Sequence, residues 1–415
     1  MNVILKTVER CNINCSYCYF FNGTDSSFER HASVIARETI EAVATFLARG
    51  VEQLRIDSLA IAFHGGEPTL QRKSDFDWMC THLRAALSSK VDLRFGIQTN
   101  GIAVDDDWIE LFARHAVGVG VSIDGPRHVH DRFRVDHAGR GTYERTAIGI
   151  RRLQDAVKAG RLSQPIGALA VIDPQTNARE VFDHLVDELG FRVLHWELPD
   201  KNFEMAPVNA MAYGQYLCQL FDAWAVRDDP GIFIRIFASF LVKLSGLATP
   251  LFPSNGDWMM RNSQLREITI SSSGDIGADD GLRQTGYWQT LPSATVRDSS
   301  LERFVMDSSV TELAATRTRV PQACSGCLWE HACGGGSMVN RWSKARGFDN
   351  PSVYCDGLKV FFGNVVAYLV AHGVPWTMIK RSLSGAAILD SACSCAESSP
   401  AQDLTPMTPI SACAS

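Results

Sequence analysis

The sequence has little charge imbalance, no long uninterrupted apolar run and no internal repeat of fixed period. Its 40 Lys and Arg residues against 46 Asp and Glu leave a net charge of −6. That balance argues against a protein held to nucleic acid by phosphate contacts. The N-terminal stretch MNVILKTVERCN lacks the apolar core of a secretion signal. One uncharged stretch, Val360 to Ile379, approaches the length of a bilayer span. Gly363, Asn364, His372, Gly373 and Pro375 interrupt it, so the expectation is a buried helix ending near His372. These absences predict a cytoplasmic protein with neither a membrane nor a nucleic-acid partner. At 415 residues, with 46% apolar residues, the chain is long enough for a large core and a smaller second unit.

Cysteine is where the sequence is rich. Its 12 cysteines are grouped, in a long chain without a secretion signal, which is the reverse of a small disulfide scaffold. Cys11, Cys15 and Cys18 lie together, and Cys324, Cys327, Cys333 and Cys355 form a second group. Both groups read as metal sites in a reducing compartment. Cys80 and Cys218 stand alone and read as small buried hydrophobes. Cys393, Cys395 and Cys413 fall in a Ser-, Ala- and Pro-rich stretch, 386–415, that reads as a disordered tail.

Strands and helices are predicted to alternate over about the first 200 residues. Strand patterns cover 2–8, 59–63, 93–97, 117–123, 166–172 and 193–197; helical periodicity covers 34–47, 76–87, 108–114, 143–153 and 180–188. Alternation of this kind means parallel strands with right-handed crossovers. The polar motifs HGGEP, QTNG and SIDG all end strands, the edge at which a barrel carries its chemistry. The fold class is therefore α/β, with a full or partial (β/α) barrel over 1–200 favoured over a doubly wound sheet. A helical connecting segment (201–264) follows, then a small α+β cysteine-rich extension (265–385) with a hairpin at 267–270 and 275–277.

Three thiolates spaced as Cys11-x3-Cys15-x2-Cys18 can bind three irons of a [4Fe–4S] cubane and leave the fourth open. A structural zinc knuckle is the competing reading, with His31 as a distant fourth ligand. The loop CNINCSYCYF follows a first strand, and about 45 residues later a second strand ends in HGGEP. This arrangement resembles the radical S-adenosylmethionine superfamily, which implies a partial (β/α)6 TIM-type barrel. The resemblance implies that the open iron takes the amino and carboxylate groups of S-adenosylmethionine, which is then cleaved to a 5′-deoxyadenosyl radical. It makes Gly65, Gly66, Glu67 and Pro68 part of the cosubstrate site, with the glycines allowing a ligand close to the backbone and Glu67 accepting from the methionine ammonium. Ser122 and Asp124, in VSIDG, match a strand end that contacts the ribose and carboxylate. Arg134 matches an arginine that reaches the cosubstrate carboxylate. Gln98 and Asn100 are further candidates for the same pocket.

Four cysteines at 324, 327, 333 and 355 complete one closed metal site, and tetrahedral zinc also satisfies such a set. CSGCLWEHACGGGS resembles the SPASM extension of peptide-modifying members of the superfamily. The full pattern there holds two auxiliary clusters. Here Ser337 stands at the next expected cysteine, and no cysteine lies between Cys218 and Cys324. The expectation is one auxiliary [4Fe–4S] cluster besides the radical-generating one. Asp280, in GADD, aligns with an aspartate that serves as general base in sulfatase-maturating members. A carboxylate near a dry radical site is expected to have a raised pKa.

The resemblance extends furthest to maturases of ribosomally made peptides. The expected function is Cβ hydrogen abstraction and a carbon–carbon crosslink to an aromatic side chain, a cyclophane. The alternatives are anaerobic formylglycine generation, as in sulfatase maturation, and thioether formation. The expected partners are a ribosomally synthesised precursor peptide and an external electron donor of flavodoxin or ferredoxin type. A leader segment is expected to bind the barrel or the extension, with strand addition beside Glu267–Ile270 as one route.

Overall fold

The computed structural model describes residues 1–246 and 267–385. The tail at 386–415, with Cys393, Cys395 and Cys413, lies outside the described residues, as does most of the end of the connecting segment.

Alternating apolar residues in Asn2–Val8 and Ser58–Gly65 set the two faces of the barrel wall. Val3, Leu5, Leu59, Ile61 and Phe63 pack into the main core beneath the helices, with the Phe63 ring edge-on to Phe76 at 5.1 Å. Side chains alternate along a strand, so Lys6 and His64 face the interior. The two strands pair in parallel, and that register sets Lys6 beside His64.

Across the sheet the strands run Ile276–Gly277, Glu267–Ile270, Asn2–Val8, Ser58–Gly65, Asp92–Thr99, Val117–Ser122, Gly167–Val171, Val193–Glu197 and Phe233–Ile234. All pairs but the first are parallel. The wall is the α/β partial barrel expected from the alternation, with helices Arg37–Leu54, Lys73–Leu87, Asp106–Arg114, Tyr143–Lys158 and Ala178–Asp183 in the crossovers.

One strand of the extension joins this wall. Glu267–Ile270 runs parallel to Asn2–Leu5 on one side and pairs with Ile276–Gly277 on the other. The expected leader route beside Glu267–Ile270 therefore meets a strand paired along its whole length on one edge and at Thr269 and Ile270 on the other.

The uncharged stretch near the C-terminus forms the helix Cys355–Ala371, capped at His372. It buries Phe361, Phe362 and Val365 against Ala210–Arg227 and Arg235–Ser245, where Phe221, Phe237 and Phe240 stack around Phe361. Among the described residues no helix is long and apolar enough to cross a membrane.

Candidate active site

The first cysteine group sits on a loop leaving Asn2–Val8. Asn14–Cys15 pairs antiparallel with Arg134–Val135, which sets Cys15 opposite Arg134. The guanidinium lies 3.8 Å from Cys15 Sγ, and its Nε donates to Asp124 Oδ2 at 3.1 Å. The Tyr17 hydroxyl donates to the same carboxylate oxygen at 2.6 Å. Burial pushes the Cys11 thiol up to about 12 and the Cys15 thiol up to about 11, the latter opposed by Arg134. Thiols so desolvated become thiolates when a bound cation supplies the compensating charge.

The glycines of HGGEP are required by a close backbone approach within the chain. A Cβ on Gly65 would lie 2.1 Å from the Val8 carbonyl oxygen, and one on Gly66 would lie 2.1 Å from that of Arg10. Gly65 also has φ +143°, which L side chains rarely adopt. Two backbone hydrogen bonds close this contact, Gly66 N–H to Val8 O at 2.7 Å and Glu67 N–H to Arg10 O at 2.8 Å. The motif therefore clamps the cysteine loop.

Glu67 is 1% exposed and turned inward. Its oxygens accept from the Thr69 and Asn100 backbone N–H groups at 3.0 and 2.7 Å, and from the hydroxyls of Thr69 and Thr99. Burial raises its pKa, and those hydrogen bonds oppose the rise. Within the chain the carboxylate joins strand ends. Pro68 starts the short turn that follows. Asn100 reaches back from the next strand end to Asn12 in the cysteine loop, at 2.7 Å, and Gln98 donates to Ser122 at 2.8 Å. The predicted cosubstrate residues thus converge on one rim around the cysteine loop.

Asp280 arrives from the extension and enters the same mouth. It is fully buried. Its Oδ2 accepts from Lys6 Nζ and from the Tyr19 hydroxyl, and its Oδ1 accepts from Arg283 Nε at 2.6 Å. Arg283 continues to Asp25 and Ser27 at 2.6 and 2.7 Å. The raised pKa expected for Asp280 is corrected. Burial does push it up, but Lys6 and Arg283 outweigh burial and hold the carboxyl well below the usual range.

Lys6, Asn12, Tyr17 and His64 belong to this site and were missed in the sequence. Lys6 carried a signal: a lysine inside the apolar strand NVILKTV can be fully buried only with a partner. That partner lies 274 residues away, beyond the reach of local pattern.

Cys324, Cys327, Cys333 and Cys355 line a single cavity with Trp329 and Lys359. Among the described residues, no three His, Cys, Asp or Glu side chains are placed to hold a single metal ion. Ser337, at the position of the next expected cysteine, precedes the short helix Met338–Arg341.

Residues 5–180 match the family described as the Radical SAM superfamily. The barrel has the radical SAM fold. The cofactor expectation, S-adenosylmethionine with two [4Fe–4S] clusters, agrees with that family and its relatives. A cysteine-type anaerobic sulfatase-maturating enzyme of Clostridium novyi is 22% identical over 384 residues, which are 89% of this chain and 96% of the relative. A serine-type enzyme of Bacteroides thetaiotaomicron is 24% identical over 86% of this chain and 87% of its own. Among solved structures, anSMEcpe with bound AdoMet and Cp18Cys peptide superposes with a TM-score of 0.74 at 22% identity, covering 89% of this chain and 98% of that one. These likenesses overturn the expected cyclophane crosslink. Both curated relatives named here span the barrel and the extension and are sulfatase-maturating enzymes, which was the alternative reading.

Proposed function

We propose that this chain oxidises a Cys or Ser side chain of a peptide to formylglycine. The observation that carries the reading is the placement of Asp280 at the mouth of the radical SAM domain, in a chain whose end-to-end relatives are sulfatase-maturating enzymes of both types. Cys11, Cys15 and Cys18 would hold the radical-generating cluster, and Cys324, Cys327, Cys333 and Cys355 the auxiliary one. When bound, the clusters and S-adenosylmethionine supply a 5′-deoxyadenosyl radical that takes a hydrogen atom from Cβ, and an acceptor for the second electron. An external donor of flavodoxin or ferredoxin type provides the starting electron.

The chain's own residues handle the proton and the peptide. As the second electron leaves, the substrate thiol or hydroxyl becomes strongly acidic. A carboxylate of low proton affinity is then a sufficient acceptor, and Asp280 is held ionised for that purpose by Lys6 and Arg283. Loss of the proton leaves a thioaldehyde from Cys, which water converts to the aldehyde and hydrogen sulfide. From Ser the aldehyde forms directly.

The test is anaerobic incubation of the reconstituted protein with S-adenosylmethionine, reductant and paired Cys and Ser peptides. An aldehyde captured on the peptide by a hydrazine probe, with hydrogen sulfide from the Cys form, is expected. A peptide that loses hydrogen yet carries no aldehyde contradicts the reading.

A further inference from the structure

His64 ends the strand Ser58–Gly65, immediately before the clamp of the cysteine loop, and no role falls to it in the reading above. Its Nδ1 lies 3.0 Å from Lys6 Nζ. An ammonium has only hydrogens to offer, so Lys6 donates and Nδ1 accepts. The remaining ring proton is thereby placed on Nε2. Nε2 has no hydrogen-bond partner among the described residues, and it is not one of the buried polar atoms left unpartnered, so solvent at the barrel mouth reaches it. The charged groups that act on the ring are Lys6 from the neighbouring strand and Asp280 from the extension, and Asp280 in turn holds Arg283 and the Tyr19 hydroxyl. Lys6 is itself fixed, buried at 0% exposure over the Phe20 ring at 4.5 Å. The imidazole is thus locked as a donor beside the carboxylate assigned to take the substrate proton.

The geometry points to His64 as a substrate-positioning residue that donates through Nε2–H to an acceptor atom of the peptide residue being oxidised. This rests on the peptide-oxidation reading and adds the group that orients the peptide. Burial and the Lys6 charge lower the imidazole's pKa to about 3, so the ring stays neutral throughout the working range. Lys6 is the positioning residue for that ring. It is fully buried and acts by selecting which nitrogen carries the hydrogen.

The test uses the reconstituted full chain with S-adenosylmethionine and a fluorescent derivative of the Cp18Cys peptide that the solved relative binds. Peptide affinity is read by anisotropy at pH 6, 7 and 8, without reductant, for wild type, His64→Gln and His64→Leu. The wild-type affinity is expected to be flat with pH. His64→Leu should weaken binding about tenfold, as loss of one hydrogen bond implies. His64→Gln keeps an N–H donor and should bind within about threefold of wild type.

Equal affinity for wild type and His64→Leu overturns the proposal. So does a wild-type affinity that changes with an ionisation near 6.5 that His64→Gln removes, since the ring would then titrate. If His64→Leu fails to assemble its iron, the pH profile and the Gln variant still decide. Wild-type protein that binds no peptide overturns both readings. His64-dependent binding without aldehyde formation overturns only the formylglycine reading.

Discussion

Cys15 illustrates how much one residue can be asked to do. Its thiol must ligate iron, yet burial holds it up near 11, and Arg134 sits 3.8 Å from its sulfur. Cys15→Ala is expected to abolish 5′-deoxyadenosine formation and to cut iron from about eight to about four per chain, the loss of one whole cubane. Iron analysis after reconstitution checks it; an unchanged iron content contradicts the ligand role. Asp280→Asn should lower aldehyde formation about a hundredfold or more, the usual weight of a general base. Because the aspartate is ionised far below neutrality, no rise in rate with pH between about 5 and 8 should be traceable to it. The ratio of aldehyde to 5′-deoxyadenosine, measured against pH, separates this from a general loss of fold. The two cysteine groups and HGGEP were legible because ligation and close backbone approach each demand a residue type at a fixed spacing. His64, Lys6 and the low proton affinity of Asp280 were not, because each is created by side chains that meet only when the extension closes on the barrel.

Elements were legible where the apolar period was strong. Val193–Glu197 was bounded correctly from its alternation, whereas Arg37–Leu54 extends seven residues beyond the apolar period read at its C-terminal end. Ser308–Thr318 was missed because only Val310, Leu313 and Ala314 are buried along it, too few to make a periodic stripe. The joint between Ala210–Arg227 and Cys355–Ala371 was also invisible to pattern, since it depends on two glycines that lack side chains. A Cβ on Gly214 would lie 2.1 Å from the Gly357 carbonyl oxygen, and one on Gly357 would lie 2.4 Å from that of Ala210. Gly214→Ala should therefore push the helices apart and destabilise the protein by about 1–3 kcal/mol. Thermal unfolding reads this directly, and a melting temperature equal to wild type would show that the helices do not meet backbone to backbone.

At the scale of the whole molecule, the extension is an integral part of the barrel wall. It supplies a strand beside Asn2–Val8 and a carboxylate to Lys6, so the two halves share both hydrogen bonds and buried charge. Glu267, at the start of that strand, is 5% exposed with Oε1 unpartnered, and burial raises its pKa well above the usual value. A carboxyl with a raised folded pKa lets the native state bind the extra proton. Stability falls as pH rises from the unfolded value of about 4.3 toward the folded one. Glu267→Gln should accordingly raise the melting temperature more at pH 8 than at pH 5; an equal change at both would mean that the side chain ionises freely. The central claim is that a peptide Cβ hydrogen is removed at the mouth of this barrel. It is tested most directly with a peptide carrying deuterium at the cysteine Cβ, incubated anaerobically with the reconstituted protein, S-adenosylmethionine and reductant. Deuterium recovered in 5′-deoxyadenosine, alongside aldehyde on the peptide, is the result predicted here, and 5′-deoxyadenosine formed without deuterium would contradict it.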